Sequence, residues 1–402
     1  MLKSIVLLGF ERAMQALSLI LIAGILLRGL GDVDYARWQY AMAVFSVFSA
    51  LTWFLGNELI TVKLYQSGKK KLIKNFFFIK LVICVVFSVF YLCYAFLYSD
   101  EFFLYFALFT CWIILIREPF SSLISIYQYE SRYDWVLISN ILTLLVRVGC
   151  IFAIISSKIS SYWIGLAWLL EALIFVWMIY GNSKIKIKWR NKDWKISWLI
   201  LKKNFLPAVK VWITVLAGVV FLKFDKINLS SVLNYQEYSI YSSSSQINEN
   251  ALSVVALTMN VLGPYYLYKF KDKADGIKRL YNSIVSMFVL LSIFSLVIFI
   301  IQDFIGQIIF GSAQYTQYLW KLIFMAPLYG VSVVFNFFFF RQNEFGHTAK
   351  KSLILLSSLI LIDFLLTGYL NRIESIIVAM YCSLLICLVF DAYYFLKWRG
   401  VS

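Results

Sequence analysis

The sequence predicts an all-α integral membrane protein with twelve transmembrane helices in two six-helix bundles around a central cavity. Three observations predict this fold class. The 402 residues are 62% hydrophobic and 14% charged, whereas a soluble domain carries about 25% charged residues. The apolar residues form twelve stretches of roughly bilayer-spanning length. Lysine and arginine cluster in alternate loops between these stretches, as expected for a chain that crosses a membrane repeatedly.

Each apolar stretch is continuous and does not alternate with polar residues, so we expect helices and not the strands of a barrel. A bilayer core of about 30 Å takes roughly 20 helical residues. The predicted spans are residues 4–30, 39–60, 76–98, 102–126, 136–156, 162–180, 205–225, 246–268, 281–302, 317–340, 352–370 and 374–396.

The basic residues predict that both termini are cytoplasmic. Of the 37 Lys and Arg residues, 25 lie at the termini and in alternate loops, and 4 lie in the opposite set of loops. The richer side is the cytoplasmic one by the positive-inside rule. Its longest loop, 181–204, divides an N-terminal bundle, 1–180, from a C-terminal bundle, 205–402. We expect this loop to rest on anionic lipid headgroups, and docking of a partner protein is the alternative.

A short sequence pattern that occurs once in each half suggests that the two halves are repeats. Asp34-Tyr35-Ala36-Arg37-Trp38 follows the first span, and Glu237-Tyr238-Ser239-Ile240-Tyr241 follows the seventh. Both runs read acidic, Tyr, small, any residue, aromatic. Six spans per half preserve orientation, so the halves are predicted to be parallel repeats that can rock about a cleft.

Several classes of function are disfavoured by the sequence. The net charge of +16 does not indicate a nucleic-acid partner, because the basic residues lie in short loops between apolar spans. The chain has no P-loop, no glycine-rich dinucleotide loop and no GxSxG sequence, and His347 is its only histidine. We therefore predict no cofactor, no metal site and no catalytic residue.

Three arginines, Arg12, Arg117 and Arg147, are predicted to lie roughly 12–16 Å inside the membrane. Facing lipid, all three together would cost on the order of 9 kcal/mol, comparable to the stability of a whole fold. We therefore expect them to face an aqueous cavity or a counter-ion. For Arg147 the alternative to lining a cavity is an ion pair with Glu171. Glu118 is expected to be a poor partner for Arg117, because adjacent helical residues do not face each other.

The other cations inside spans lie within a turn or two of a predicted end and are expected to reach the interface: Arg28, Lys80, Lys210, Lys223 and Lys321. Lys210 and Lys223 join the deep arginines in a predicted cationic cavity. Guanidinium groups bind phosphate through two hydrogen bonds, so this cavity predicts a lipid cargo with a phosphate or diphosphate head. Glu171 and Asp363 are the candidates for ion coupling. Pro119, Gly263-Pro264 and Pro327 are predicted to kink their helices.

Two motifs carry a resemblance to a known family. One is Arg28-Gly-Leu-Gly31 followed by Asp34-Tyr-Ala, at the exit of span one. The other is Phe224-Asp-Lys-Ile-Asn-Leu229 followed by Glu237-Tyr-Ser-Ile-Tyr-Ser242. The chain resembles the O-antigen flippases, the polysaccharide transporter family of the multidrug/oligosaccharidyl-lipid/polysaccharide (MOP) exporter superfamily. Ala36 departs from the more usual glycine of the first turn.

The resemblance implies a flippase that moves an undecaprenyl-diphosphate-linked oligosaccharide from the cytoplasmic to the periplasmic leaflet of a bacterial inner membrane. It also implies alternating access and an H+ or Na+ gradient, together with membrane lipids, a polysaccharide polymerase and a chain-length regulator as partners. By the motifs, Arg28 is added to the substrate site and Asp225 to the ion-coupling candidates.

Two other functions stay open at this point. A multidrug antiporter of the same superfamily would present carboxylates and aromatic residues to an organic cation, whereas the deep arginines here favour an anion. A membrane-embedded glycosyl- or acyltransferase is a further alternative, although the predicted outer loops are too short to build the usual extramembrane site.

Overall fold

The computed structural model describes residues 2–54, 60, 72–98, 100–129, 133–183, 191–267, 272–342 and 344–400. Every regular element in these ranges is helical, and the helices follow the order of the twelve predicted spans. Seven of the described helices are long and apolar enough to cross a membrane, or eight if a bent pair counts as one span. The predicted fold class, an all-α multi-pass membrane protein, is confirmed.

We number the helices along the chain. Their bounds are α1 (2–30) and α2 (32–51), which are two arms of the helix Leu2–Leu51, then α3 (Leu72–Tyr98), α4 (Glu101–Tyr127), α5 (Tyr133–Ser156), α6 (Ser161–Gly181), α7 (Asn191–Leu229), α8 (Tyr235–Leu262), α9 (Lys273–Phe310), α10 (Ala313–Ile323 and Met325–Arg341), α11 (Phe345–Leu366) and α12 (Arg372–Gly400).

A single glycine separates the first two helices. Gly31 has φ 77° and ψ 179°, a conformation that glycine adopts readily because it has no Cβ. The predicted loop over 31–38 is therefore wrong. The chain changes direction at one residue and resumes a helix at once.

The predicted kinks coincide with breaks in helical geometry. A π-turn, Ile113–Arg117, stands just before Pro119, which cannot donate a backbone hydrogen bond and crowds the preceding turn. A second π-turn, Gly263–Leu267, contains Pro264. The two parts of α10 meet at 45°, close to Pro327. The bend predicted near Pro327 is confirmed. Near Pro119 and at Gly263-Pro264 the regular α-helix is interrupted, and a kink at these two sites stays a prediction.

Two predicted loops are largely helical. Helix α8 begins at Tyr235, where the Asn234 side chain accepts a hydrogen bond from the Glu237 N–H, so most of the predicted loop 226–245 is wrong. Helix α7 begins at Asn191, inside the predicted linker, and residues 184–190 lie outside the described residues. Hydropathy located the apolar centres of these helices but not their polar ends.

The chain forms two compact units. Unit 1 comprises Met1–Ser18 and Tyr40–Leu216, and unit 2 comprises Leu19–Gln39 and Ala217–Ser402. The boundary predicted between two bundles stays a prediction. Unit 1 has one described apolar core, with Phe76 of α3, Leu123 of α4 and Phe175 of α6 at its centre.

Two apolar cores are formed by the described residues of unit 2. One joins α7, α8, α11 and α12 through residues such as Phe221, Tyr241 and Leu359. The other surrounds Val334 and Phe338 of α10. Between these apolar groups, helix α8 carries a run of buried polar residues, which the following section describes.

Candidate functional site

Two of the predicted deep arginines meet at one carboxylate in unit 1. Arg117 ends the π-turn of α4, Arg147 lies in α5 and Glu171 lies in α6. Arg117 Nη1 donates to Glu171 Oε1 at 2.8 Å, and Arg147 Nη1 lies 3.0 Å from Glu171 Oε2. The structure thus contains the Arg147–Glu171 ion pair that was the alternative to a cavity-lining role for Arg147. Arg117 shares the same partner.

One face of α6 builds this cluster. Trp168 precedes Glu171 by three residues and Phe175 follows it by four, so the three side chains lie on the same side of the helix. The Arg117 guanidinium carbon lies 4.9 Å from the centre of the Phe175 ring. That of Arg147 lies 5.7 Å from the centre of the Trp168 ring. Both cations therefore rest on aromatic faces, which attract positive charge.

The cluster has an excess of positive charge, and its three side chains differ in how much of each is exposed. The exposed side-chain fraction is 30% for Arg117, 10% for Arg147 and 6% for Glu171. Within the described part of the chain, the buried atoms Arg147 Nε and Glu171 Oε2 have no hydrogen-bond partner. Two guanidiniums around one carboxylate carry a net charge of +1, and a donor is left over for another acceptor.

Glu118, the residue after Arg117, forms a separate ion pair with Lys80. Glu118 accepts hydrogen bonds from Trp53 Nε1 at 3.1 Å and from Ser49 Oγ at 3.3 Å, and its Oε2 lies 3.9 Å from Lys80 Nζ. Lys80 also donates to Ser121 Oγ at 2.7 Å. The expectation that Lys80 reaches the interface is wrong, because its side chain is 2% exposed. As predicted, Glu118 does not pair with Arg117.

In unit 2, the motif residue Asp225 is a buried acceptor. It receives hydrogen bonds from Tyr241 Oη at 2.8 Å, from Ser245 Oγ at 2.6 Å and from the Lys226 backbone N–H at 2.8 Å. The two halves of the family-like motif, on α7 and α8, are thus joined by hydrogen bonds. Three donors satisfy a carboxylate that is removed from water.

Next to Asp225, one carboxylate again serves two cations. Glu249 Oε2 lies 2.5 Å from Lys223 Nζ, and Glu249 Oε1 lies 3.1 Å from Lys226 Nζ. Lys226 also donates to Gln39 Oε1 at 3.1 Å and to Gln246 Oε1 at 3.0 Å. The exposed side-chain fraction is 17% for Lys223 and 1% for Lys226. The expected position of Lys223 at the interface is replaced by a buried ion pair.

The sequence reading missed Glu249 and Lys226 because both fall at the edge of a segment interpreted as a loop. A signal was present. Gln246 and Glu249, with Ser242 four residues before Gln246, repeat at helical spacing, which marks a polar stripe on one face of a helix.

The segments around the two similar runs, 34–38 and 237–241, pack against each other within unit 2. Ser239 Oγ donates to the Asp32 carbonyl at 2.8 Å, and Ser243 Oγ donates to Tyr35 Oη at 3.2 Å. Gln39 Nε2 donates to the same Tyr35 Oη at 2.6 Å. The small serines of α8 allow this close approach.

Asp363, the other ion-coupling candidate in unit 2, is held by an arginine. Its two oxygens accept from Arg372 Nη1 and Nη2, each at 2.9 Å. Asn228 Nδ2 donates at 3.1 Å and Ser375 Oγ at 3.0 Å. Four donors occupy the carboxylate, so a cation would first have to displace Arg372. Asp363, Asn228 and Arg372 line a groove of about 610 Å³ together with Phe224.

The remaining predicted site residues lie apart from these clusters. Arg28 donates to the carbonyl oxygens of Gln307, at 2.9 Å, and Ile308 at the end of α9. Lys210 is half-buried on α7. The Arg12 side chain lies outside the described residues. Whether the predicted cations share one cavity stays a prediction.

One further buried cluster was not predicted. His347 Nε2 and Lys351 Nζ lie 3.0 Å and 2.5 Å from the two oxygens of Asp391. The imidazole stacks on the rings of Phe390 and Tyr394. The cluster joins α11 to α12. Within the described side chains, no three His, Cys, Asp or Glu residues are grouped to hold a metal ion.

No protein-family model and no curated protein sequence matches the chain. Solved structures do match over almost its whole length. A multidrug resistance MATE family transporter of the MOP superfamily, in an inward-facing conformation, has a TM-score of 0.73 at 13% identity and covers 98% of this chain and 99% of its own.

Two other structures with different reported properties share the fold. The lipid II flippase MurJ, in an inward closed conformation, has a TM-score of 0.64 at 15% identity, over 98% of this chain and 87% of its own. A MOP superfamily transporter from Pyrococcus furiosus, reported to have a binding pocket of reversed polarity, has a TM-score of 0.60 at 12% identity, over 98% and 95%. The chain therefore has the fold that is common to transporters of the MOP superfamily.

Proposed function

We propose that the protein is a flippase for a lipid-linked oligosaccharide whose head group carries a diphosphate, as in undecaprenyl-diphosphate-linked O-antigen repeat units. The single observation that carries this proposal is the cluster of Arg117, Arg147 and Glu171. It holds an excess positive charge within helices that are long and apolar enough to cross a membrane. Such a charge is costly unless an anion uses it.

The chemistry of the two arginines fits a phosphate. Guanidinium remains charged and presents paired N–H donors that match phosphate oxygens. Arg117 is the more exposed of the two, so it is placed to meet a ligand first. The MurJ structure, which is that of a lipid II flippase, supports the proposal because the fold is shared.

The remaining parts of the proposal rest on the positive-inside pattern and on the resemblance carried by the two motifs. The protein would lie in a bacterial inner membrane with both termini in the cytoplasm. It would act as a transporter and not as an enzyme, by alternating access of the bundles 1–180 and 205–402, and use an H+ or Na+ gradient. Arg12, Arg28, Lys210 and Lys223 would add positive charge to the substrate path. A polymerase and a chain-length regulator would act on the flipped product.

Among the ion-coupling candidates, Asp225 is proposed ahead of Glu171 and Asp363, because Glu171 already pairs with two arginines. Asp225 accepts only from two hydroxyls and a backbone N–H, which a bound cation or proton could rearrange. Asp363 already has a bidentate arginine.

A multidrug antiporter is the second candidate, since a MATE transporter has a TM-score of 0.73 with this chain. Reconstituted vesicles separate the two. We expect protein-dependent movement of a fluorescent prenyl-diphosphate sugar between leaflets, lost in Arg117→Ala, and no gradient-driven accumulation of a cationic dye. Dye accumulation without lipid movement would overturn the flippase proposal in favour of the antiporter.

A further inference from the structure

Glu171 is bound in the way that a phosphate would be bound. Arg117 engages one of its oxygens and Arg147 the other, so the carboxylate bridges two guanidiniums through separate atoms. Bridging of this kind is common to carboxylate and phosphate ligands of arginine. The protein thus supplies its own anion to the cationic pair.

This internal anion does not satisfy the pair. Arg147 Nε and Glu171 Oε2 are both buried without a hydrogen-bond partner among the described residues, although an arginine has five N–H donors to place. The net charge of the cluster remains positive. A ligand with more oxygens and more negative charge than one carboxylate would satisfy the cluster better.

We infer that Glu171 is a tethered competitor for the head group of the cargo, and that it makes the cluster select a diphosphate over a single phosphate. This inference rests on the proposed function, because it assumes that Arg117 and Arg147 bind the cargo. It adds to that function a residue that determines which anions are rejected.

The selection follows from competition. A side chain tethered at its site has an effective concentration in the millimolar range or higher, and a ligand that takes the Nη donors of both arginines must displace it completely. A lipid with one phosphodiester charge replaces one negative charge by another and gains little. A diphosphate brings at least two charges and enough oxygens to engage Arg117 and the unused Arg147 donor together.

Lipids with a single phosphate have to be rejected because they are common in the membrane around the protein. The cytoplasmic leaflet contains abundant anionic lipids with single phosphates. A bare pair of arginines open to that leaflet would be occupied by them. Specificity of this kind comes from a built-in element that disfavours the wrong ligand.

The difference in burial indicates which contact is exchanged. The Arg147 side chain is 10% exposed and Arg117 is 30% exposed. Arg147 is therefore the fixed partner, which holds Glu171 and spares it from being left as an unpaired buried charge. Arg117 is the partner that the diphosphate takes from Glu171.

The test uses the full-length protein in nanodiscs of zwitterionic phosphatidylcholine. The matched probes are farnesyl diphosphate and farnesyl methyl phosphate, a monophosphate diester that carries one negative charge. Calorimetric titration measures both dissociation constants. Wild type is expected to bind the diphosphate at least about tenfold more tightly than the monophosphate. In Glu171→Gln the monophosphate should bind about tenfold more tightly than in wild type, so that the ratio of the two constants falls.

Glu118→Gln is the matched control, because it removes a buried carboxylate one residue from Arg117 that pairs with Lys80 instead. Its ratio should equal that of wild type. Arg117→Gln should lose binding of both probes. If Glu171→Gln does not fold, Glu171→Asp keeps the charge but shortens its reach, and its ratio should also fall.

The outcomes separate this inference from the function on which it rests. An unchanged ratio in Glu171→Gln, or in Glu171→Asp where that variant is used, overturns the competitor role. If Arg117→Gln still loses diphosphate binding in that case, the proposed function stands. If wild type binds neither probe, the proposed function fails and the inference fails with it.

Discussion

Glu249 Oε1 lies 3.1 Å from the ammonium nitrogen of Lys226, a side chain that is 1% exposed. The other acceptors of this ammonium are the uncharged amides of Gln39 and Gln246. Glu249 is therefore the anion that compensates a charge fully removed from water. Its second oxygen performs the same role for Lys223.

We expect Glu249→Gln to destabilise the protein by about 3–5 kcal/mol, because removing one member of a buried ion pair leaves the other uncompensated. Thermal unfolding of the purified protein in detergent measures this. Glu237→Gln changes an exposed residue of the same helix and should unfold at the wild-type temperature. A Glu249→Gln protein as stable as that control would contradict a structural role for the pair.

Arg117 and Arg147 are expected to differ when each is replaced by alanine. Arg117→Ala should stop surface polysaccharide assembly while the protein remains at its normal level in the membrane, because Arg147 still compensates Glu171. Arg147→Ala should also lower the protein level, since the more buried cation is lost. Immunoblots of membranes and polysaccharide gels check both. Normal assembly in Arg117→Ala and in Arg117→Lys would remove Arg117 from the substrate site.

Gly24 is expected to resist substitution by alanine. A Cβ at this position would collide with the carbonyl oxygen and side chain of Ile309 at the end of α9. Forcing the backbone apart costs about 1–3 kcal/mol. Gly149→Ala is the control, because nothing lies within 4 Å of its Cβ position and alanine favours the helix there. Unfolding temperatures that fall equally in both variants would show that the close approach at Gly24 is unimportant.

Asp363→Asn is expected to lower stability by about 1–3 kcal/mol, because Arg372 loses its charged hydrogen-bond acceptor. The double variant Asp363→Leu with Arg372→Leu should recover part of this loss, since no charge is then left alone. Transport in proteoliposomes should keep its gradient dependence in Asp363→Asn. Loss of that dependence with unchanged stability would instead place the coupling ion at Asp363.

The sequence predicts the lipid-facing parts of this fold well. Apolar composition marks the residues that contact hydrocarbon, and each of the twelve predicted spans corresponds to a helix. Proline chemistry likewise predicts the breaks near Pro119 and Pro327. These features are local, so they need no knowledge of tertiary packing.

The protein-facing polar parts are not predictable in the same way. The first half of α8, from Tyr235 to Asn250, is too polar to resemble a membrane span, yet most of it is buried among other helices. Its polarity is matched by Asp225, Lys226 and Tyr35, which are distant in sequence. Hydropathy cannot distinguish such a segment from a loop in water.

The contacts of the candidate site are likewise only partly predictable from the sequence. The costs of burying Arg117 and Arg147 predict that they need partners, and the pairing of Arg147 with Glu171 follows from adjacent spans. That Glu171 serves both arginines depends on the π-turn before Pro119, which sets the direction of Arg117. One turn of irregular helix thus decides a contact that composition alone leaves open.

Arg28 contacts the Gln307 carbonyl across 279 residues of sequence, because Leu19–Gln39 belongs to the unit formed otherwise by Ala217–Ser402. At about 5–20 residues per second of synthesis, α9 emerges roughly 14–56 s after α1. During synthesis, the segment Leu19–Gln39 is therefore made well before the end of α9, which it contacts in the folded protein. A nascent chain stopped before α9 would present Arg28 to the insertion machinery and to quality-control proteases. The contacts of this early residue are therefore completed only in the last third of translation.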